Sequence, residues 1–116
     1  MLPIIMHEDI PVLRLQGRLD TYVIPSIESI LDQIFNEAET PRVIINLMGV
    51  QYLDGSALDT LVGWQAKFQQ EAGDIKLSSM RQTMRMRLKI ENLTQFNIYD
   101  TDEQAYAAFL NEASSS

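Results

Sequence analysis

The sequence predicts an α/β domain on a mixed sheet that opens with an antiparallel pair of strands and then alternates helices with strands, about four helices in all. Two apolar runs, Ile4 to His7 and Val12 to Gly17, flank Glu8-Asp9-Ile10-Pro11, which is the pattern of a hairpin. Beyond them, segments with apolar residues three and four apart take turns with short Val- and Ile-rich runs. Length sets the scale: 116 residues fit one domain, which buries roughly two-thirds of its unfolded surface. Residues 1–113 are assigned to that domain, and Ser114 to Ser116 to a disordered tail.

The first helical pattern follows Tyr22. Ile24, Ile27, Leu31 and Ile34 share a face, Pro25 suits a first turn, and Asp20 or Thr21 is placed to cap it. Arg42 to Leu47, set off by Pro41, reads as a strand covered on both faces and therefore central. A second helix starts after Asp54-Gly55, with Leu58, Leu61, Val62 and Phe68 inward, Trp64 at the edge and Gln65 awkwardly inside. Ile75 and Leu77 alternate with Lys76 and Ser78 as a short strand after the Ala72-Gly73 stop. Thr83 to Glu91 alternates Met84, Met86, Leu88 and Ile90 with charges, as a strand would. Its good helix formers, and the need to cross back to a strand at Ile98-Tyr99, predict a helix instead. Thr101 and Gln104 form a capping box for a last helix that buries Ala105, Phe109 and Ala113.

Composition excludes several roles. With no cysteine the chain has neither disulfides nor thiolate metal sites, which fits a reducing compartment. No apolar stretch approaches the roughly 20 residues of a membrane span, and the N-terminus lacks a secretory pattern, so a cytoplasmic protein is expected. The formal charge of −7 argues against nucleic acid. The basic cluster Arg81, Arg85, Arg87 and Lys89 reads as a solvated face, with an acidic protein surface as the sharper alternative. Enzymatic readings lack parts. His7, the only histidine, falls in the first strand as a half-buried residue, so Ser56 has no base. Gly55-Ser56-Ala57-Leu58 lacks a nucleophile elbow's second glycine, and no phosphate-cradling Gly-x-x-x-x-Gly-Lys loop occurs. Asp20, Asp54 and Asp59 read as solvated carboxylates rather than a cation site, and no cofactor is expected.

Function therefore falls to a loop. Tyr52-Leu53-Asp54-Gly55-Ser56-Ala57-Leu58-Asp59 leaves the C-terminal end of the central strand and enters a helix, the edge where open α/β sheets bind ligands. Local chemistry alone explains Ser56 as an N-cap, with Asp59 completing a weaker capping box.

The wider pattern resembles the STAS family, the domain of anti-sigma factor antagonists and of sulfate transporter tails. Gly17-Arg18-Leu19-Asp20 resembles the family's Gly-x-Leu-Asp. Val43 to Leu47 with Val50, Leu53, Asp54 and Ser56 resembles its strand and Asp-Ser-Ser-Gly-Leu loop. Phe96-Asn97-Ile98-Tyr99-Asp100-Thr101, with Glu103 and Ala105, is similar to its closing strand and last helix. The resemblance implies a cytoplasmic bacterial regulator that binds proteins without catalysing a reaction. It implies that Ser56 is phosphorylated by a serine kinase that is also the anti-sigma factor, that the unphosphorylated form binds this kinase, and that a serine phosphatase resets the switch. It further implies that Asp20, Asp54, Gly55, Ser56 and Asp59 form the partner-facing surface. Gly55 replaces the family's first serine, Ala57 the following glycine and Asp59 a small residue.

Three alternatives stand beside this. Within the family, the domain is an accessory subunit of a membrane transporter that binds its ATPase constitutively. Tyr52 and Trp64 are candidate anchors in either case, Trp64 being also a candidate core residue. Outside it, Asp54 would be the phosphorylated residue of a receiver domain, although the acidic cluster and lysine of such a site are missing. A serine hydrolase fails for want of a base.

Overall fold

A computed structural model describes residues 4–90 and 96–114. The element order is β1 Ile4–His7, β2 Ile10–Leu19, α1 Ile24–Glu37, β3 Arg42–Leu53, α2 Gly55–Gln70, β4 Asp74–Ser78, α3 Gln82–Ile90, β5 Ile98–Tyr99 and α4 Asp102–Ser114. The sheet order is β1-β2-β3-β4-β5, antiparallel between β1 and β2 and parallel thereafter. This is the mixed α/β architecture read from the sequence.

Strand alternation divides the core into two layers. Leu13 and Leu15 of β2 and Val43, Ile45 and Leu47 of β3 face α1, α2 and α3, packing on Ile27, Leu31, Leu58, Leu61, Phe68, Met84 and Leu88. Ile10, Val12 and Ile44 point the other way, onto Ala105 and Phe109 of α4. Period-2 alternation thus puts one helix against one face and three against the other. A side chain of about Leu size stabilises the fold by roughly 2 kcal/mol when fully buried, so both layers matter.

Several elements differ from expectation for local reasons. β3 runs on to Leu53, six residues past Leu47, because Val50 and Leu53 re-enter the core after exposed Met48. β2 extends to Leu19, with register shifts against β3 and Gly17 at φ 76°, a left-handed position suited to glycine at a bulge. Neither Asp20 nor Thr21 caps α1. Val23 holds the N-cap position without a side-chain bond, and the Asp20 carboxylate instead accepts from the Tyr22 amide at 3.0 Å. Thr83 onward is helical, as propensity rather than alternation predicted. Glu91 lies outside the described residues, as do residues 115–116 of the expected tail and the side chain of Ala113, while α4 itself reaches Ser114.

Thr101 does cap α4: its Oγ1 accepts from the Gln104 amide at 3.1 Å, and Gln104 Oε1 accepts from the Asp100 amide at 3.0 Å. The alternation expected of β4 is absent, since all five of its residues are buried. Lys76 is 0% exposed, and its ammonium donates to Glu112 of α4 at 2.9 Å and to Asp74 at 3.2 Å, above the Phe109 ring at 4.7 Å. Gln65 is buried too, and donates to Asp74 at 3.3 Å. The polar residues that looked out of place are partners.

Burial pulls the Lys76 pKa down, but bonding to Glu112 and the charge of Asp74 outweigh it, leaving the group above its ordinary value. Such a group stabilises the fold fully below the unfolded lysine pKa, and that contribution is lost as pH rises through the folded value. Lys76→Met should cost about 2 kcal/mol near neutral pH. The difference from wild type should shrink above about pH 10.5, the ordinary lysine value. Denaturant unfolding at several pH values measures both.

Candidate functional site

β3 ends at Leu53 because its inward alternation ends there, and the chain turns into α2 through Asp54. The Asp54 amide donates to Leu19 O of β2 at 2.9 Å, fixing the β3–α2 corner against the end of β2, whose next residue is Asp20. Two loops are thereby held together at the C-terminal edge of parallel strands, where α/β sheets present their binding surfaces.

The cap of α2 is Asp54 and not Ser56. Asp54 has extended backbone (φ −68°, ψ 149°), and its Oδ1 accepts from the Ser56 amide at 3.3 Å. Ser56 is therefore the second residue of the helix, and Asp59, the fifth, cannot close a capping box with it. The sequence reading gave the cap to Ser56 because serine and aspartate are equally good caps and stand two residues apart. Helical chain direction then aims free amides of the first turn out of the corner.

The Ser56 hydroxyl has an unusual setting. The residue is partly exposed, yet its Oγ is covered and has no hydrogen-bond partner among the described residues. A buried unpaired hydroxyl costs about 1–3 kcal/mol, so rotamers that bring Oγ to a partner or to solvent compete with this one.

Asp20, Asp54, Gly55 and Ser56 meet at the corner, all partly exposed, and Asp59 follows on the open surface of α2. Asp59 stands three residues after Ser56, the spacing of neighbours on one helix face. Gly55 has open space where a Cβ would stand, so a side chain fits there. Ala57 is buried in the core. Of the candidate anchors, Tyr52 is 41% exposed, under the Arg18 guanidinium at 4.5 Å from the ring centroid. Trp64 turns inward: its indole N–H donates to Glu28 at 3.1 Å, and its edge meets the Phe68 ring. His7 is partly buried in β1 against the Tyr106 ring.

The basic face of α3 departs most from the sequence reading. Arg81 donates to Met48 O at 3.3 Å, Arg85 pairs with Asp100 at 2.8 Å, and Arg87 donates to Leu53 O at the site itself. Arg81 and Lys89 are exposed, as a solvated face requires, whereas Arg85 and Arg87 are partly buried. One signal was available: Arg87 lies three residues from Met84 and next to Leu88, both buried, which sets it at the margin of the inward face. Among the described residues no group of three or more His, Cys, Asp or Glu is arranged to hold a metal ion, and no helix is long and apolar enough to cross a membrane.

The corner thus joins a helix N-terminus, a serine and several carboxylates on one edge of an α/β domain. The chain belongs to the STAS domain family, whose model matches residues 2–105. It is 21% identical over 100 residues to an anti-sigma F factor antagonist of Paenibacillus polymyxa, covering 85% of this chain and 86% of that protein. Its fold is that of the anti-sigma factor antagonist SpoIIAA of Bacillus. The unphosphorylated form superposes with TM-score 0.74 at 19% identity, over 96% of this chain and 98% of that one. The phosphorylated form gives 0.73 at 21%, over 94% and 99%. A sulfate transporter family protein from Wolinella succinogenes shares the fold at TM-score 0.69 and 23% identity, over 89% and 88%.

The two candidate caps are separable by mutation. Asp54→Ala should lose about 1 kcal/mol of stability, whereas Ser56→Ala, which removes a covered and unbonded hydroxyl, should be neutral or stabilising by up to about 1 kcal/mol. Thermal unfolding of both variants checks the assignment.

Proposed function

We propose that this chain is a cytoplasmic anti-sigma factor antagonist that docks its partner through Asp20, Asp54, Gly55, Ser56 and Asp59. In this reading the partner is an anti-sigma factor with serine-kinase activity, phosphorylation of Ser56 releases it, and a serine phosphatase restores binding. The domain contributes binding and no catalysis of its own. The observation that carries the proposal is the place of Ser56: second in a 16-residue helix, directly after the central strand and beside the Asp20 turn. The names of the relatives support the partner class, and the unphosphorylated and phosphorylated forms of SpoIIAA support a phosphorylation switch on this fold.

The covered hydroxyl adds a requirement. Oγ has to leave its present well before it takes a phosphoryl group and gives up its proton, and no hydrogen bond among the described residues opposes that rotation. Once attached, the group adds about −1.5 to −2 charge at a helix N-terminus, where free amides and the macrodipole favour an anion by roughly 0.3–1 kcal/mol. The scaffold tolerates it. A partner surface matched to neutral Ser56 among three carboxylates does not.

The same covered hydroxyl, with the transporter-family likeness, favours a second reading in which the domain docks constitutively to a transporter's ATPase.

Incubation with the cognate kinase and ATP should add one acid-stable phosphate, which Ser56→Ala abolishes. Ser56→Asp should weaken partner binding at least tenfold, about 1.4 kcal/mol. Phosphate persisting in Ser56→Ala refutes the acceptor assignment. An unchanged partner set for Ser56→Asp favours constitutive docking.

A further inference from the structure

Among the described residues, the sheet ends on one side at β5, two residues long, and on the other at β1. Ile4, Ile5 and Met6 of β1 are between 42% and 59% exposed. Edge strands are ordinarily blunted by charge, proline or a bulge, because their unpaired N–H and C=O groups accept another strand. β1 has none of these: its four residues are Ile-Ile-Met-His in unbroken register with β2, and the acidic Glu8 and Asp9 stand in the turn beyond it.

The hairpin fixes which groups face outward. Its turn holds only Glu8 and Asp9, so His7 and Ile10 flank it as a hydrogen-bonded pair. Bonded and non-bonded pairs alternate along an antiparallel ladder. Ile5 and Val12 are then the next bonded pair, while Ile4 opposite Leu13 and Met6 opposite Pro11 turn their N–H and C=O away from β2. Pro11, which has no N–H to give, fits a non-bonded place.

One two-fold register uses the outward groups of both residues. It sets Ile4 against the partner's Met6, Met6 against the partner's Ile4, and Ile5 against the partner's Ile5 on the axis. Each bonded pair exchanges two main-chain hydrogen bonds. Centring on Met6 instead would bring Ile4 against the acidic turn residue Glu8. Ile4 and Met6 lie on the α1 side of the sheet, where with Pro11, Ile30 and Ile34 they line a hollow of about 380 Å³, and the partner's copies of the two stand at its mouth. Ile5 lies on the α4 side and meets its own copy. Every opposed pair is apolar, the kind that stabilises a sheet.

We propose that two copies of this chain associate through β1, antiparallel about a two-fold axis at Ile5, into one continuous sheet. The occupant of the edge is a second copy because β1 is its own complement, uncharged and apolar at each opposed position, with its outward groups paired without remainder. The axis reverses the direction of the parallel strands, so the two β3–α2 corners point to opposite ends of the assembly and both stay open. One short strand is a small contact, which makes the association concentration-dependent. The formal charge of −7 on each copy opposes it, and salt, which screens that charge, strengthens it.

Sedimentation equilibrium of the whole chain should show dimers whose share rises with concentration and with salt. Monomer throughout, up to roughly 1 mM, overturns the proposal. Met6→Pro removes an outward N–H that β2 does not use, so it should keep the fold and weaken dimerisation at least about tenfold. If Met6→Pro does not fold, Ile5→Lys serves in its place, setting two like charges face to face on the axis at an exposed position. The register has its own readout, since the chain has no cysteine and a non-bonded antiparallel pair holds its Cα atoms about 4.5 Å apart, within disulfide reach. Under a mild oxidant Ile5→Cys should cross-link to its own copy about tenfold faster than Ile4→Cys, which faces the partner's Met6. A dimer that neither Met6→Pro nor Ile5→Lys weakens, or equal cross-linking by the two cysteines, overturns the proposal.

Discussion

The hydrogen bond from the Asp54 amide to Leu19 O is the constraint on which the functional corner depends. It joins the end of the central strand to the end of its neighbour, so the Asp20 turn and the start of α2 cannot separate without breaking a main-chain bond. The Asp54 carboxylate works in the same place, capping α2 through the Ser56 amide. One residue thus ends a strand, ties two loops and starts a helix. The bulge at Gly17 supports this from the β2 side, because the register shifts around it bring Leu19 opposite Leu53.

Charge at this corner is held in opposition. The positive end of the α2 macrodipole lies at the corner that carries the carboxylates of Asp20, Asp54 and Asp59. Each interaction alone is worth on the order of 1 kcal/mol at a partly exposed site. An added phosphoryl dianion is as large as the whole set, and a structure so close to local balance responds to it strongly. The core packs in two layers on either side of the sheet.

Much of this order was legible in the sequence, and the exceptions share a cause. The hairpin, the central place of β3 and the helical nature of Gln82–Ile90 follow from turn residues, β-branched runs and propensity, which act locally. Lys76 and Arg87 were misjudged because each is polar and has a partner distant in the chain, Glu112 and Leu53 respectively, whereas Gln65 lies inside as read, bonded to Asp74. Local rules place a lone polar residue in water, whereas a buried one is kept by a partner that only the fold supplies. The cap was misassigned for another reason: Asp54 and Ser56 satisfy the same capping rule, and only the backbone angles at Asp54 separate them. The corner's residues were readable as a set, but the direction of the Ser56 hydroxyl was not, since a rotamer leaves no trace in composition or period.

That direction bears on how a switch on this fold has to work. A serine whose hydroxyl already pointed outward would be modified at a rate set by the kinase alone. Here Oγ lies covered and unbonded at the first turn of α2. Turning it outward gives up little packing and relieves an unsatisfied polar atom, so the barrier is a local rotation, not an unfolding of the helix. In the function proposed above, a partner docked on Asp20 and Asp54 would also be the surface against which the rotation occurs, so that recognition precedes chemistry at the same few residues. A phosphate is far bulkier than the hydroxyl, whose covered position leaves almost no accessible surface. The modified helix end therefore differs from the unmodified one in shape as well as in charge, and both differences lie on the face that a partner reads.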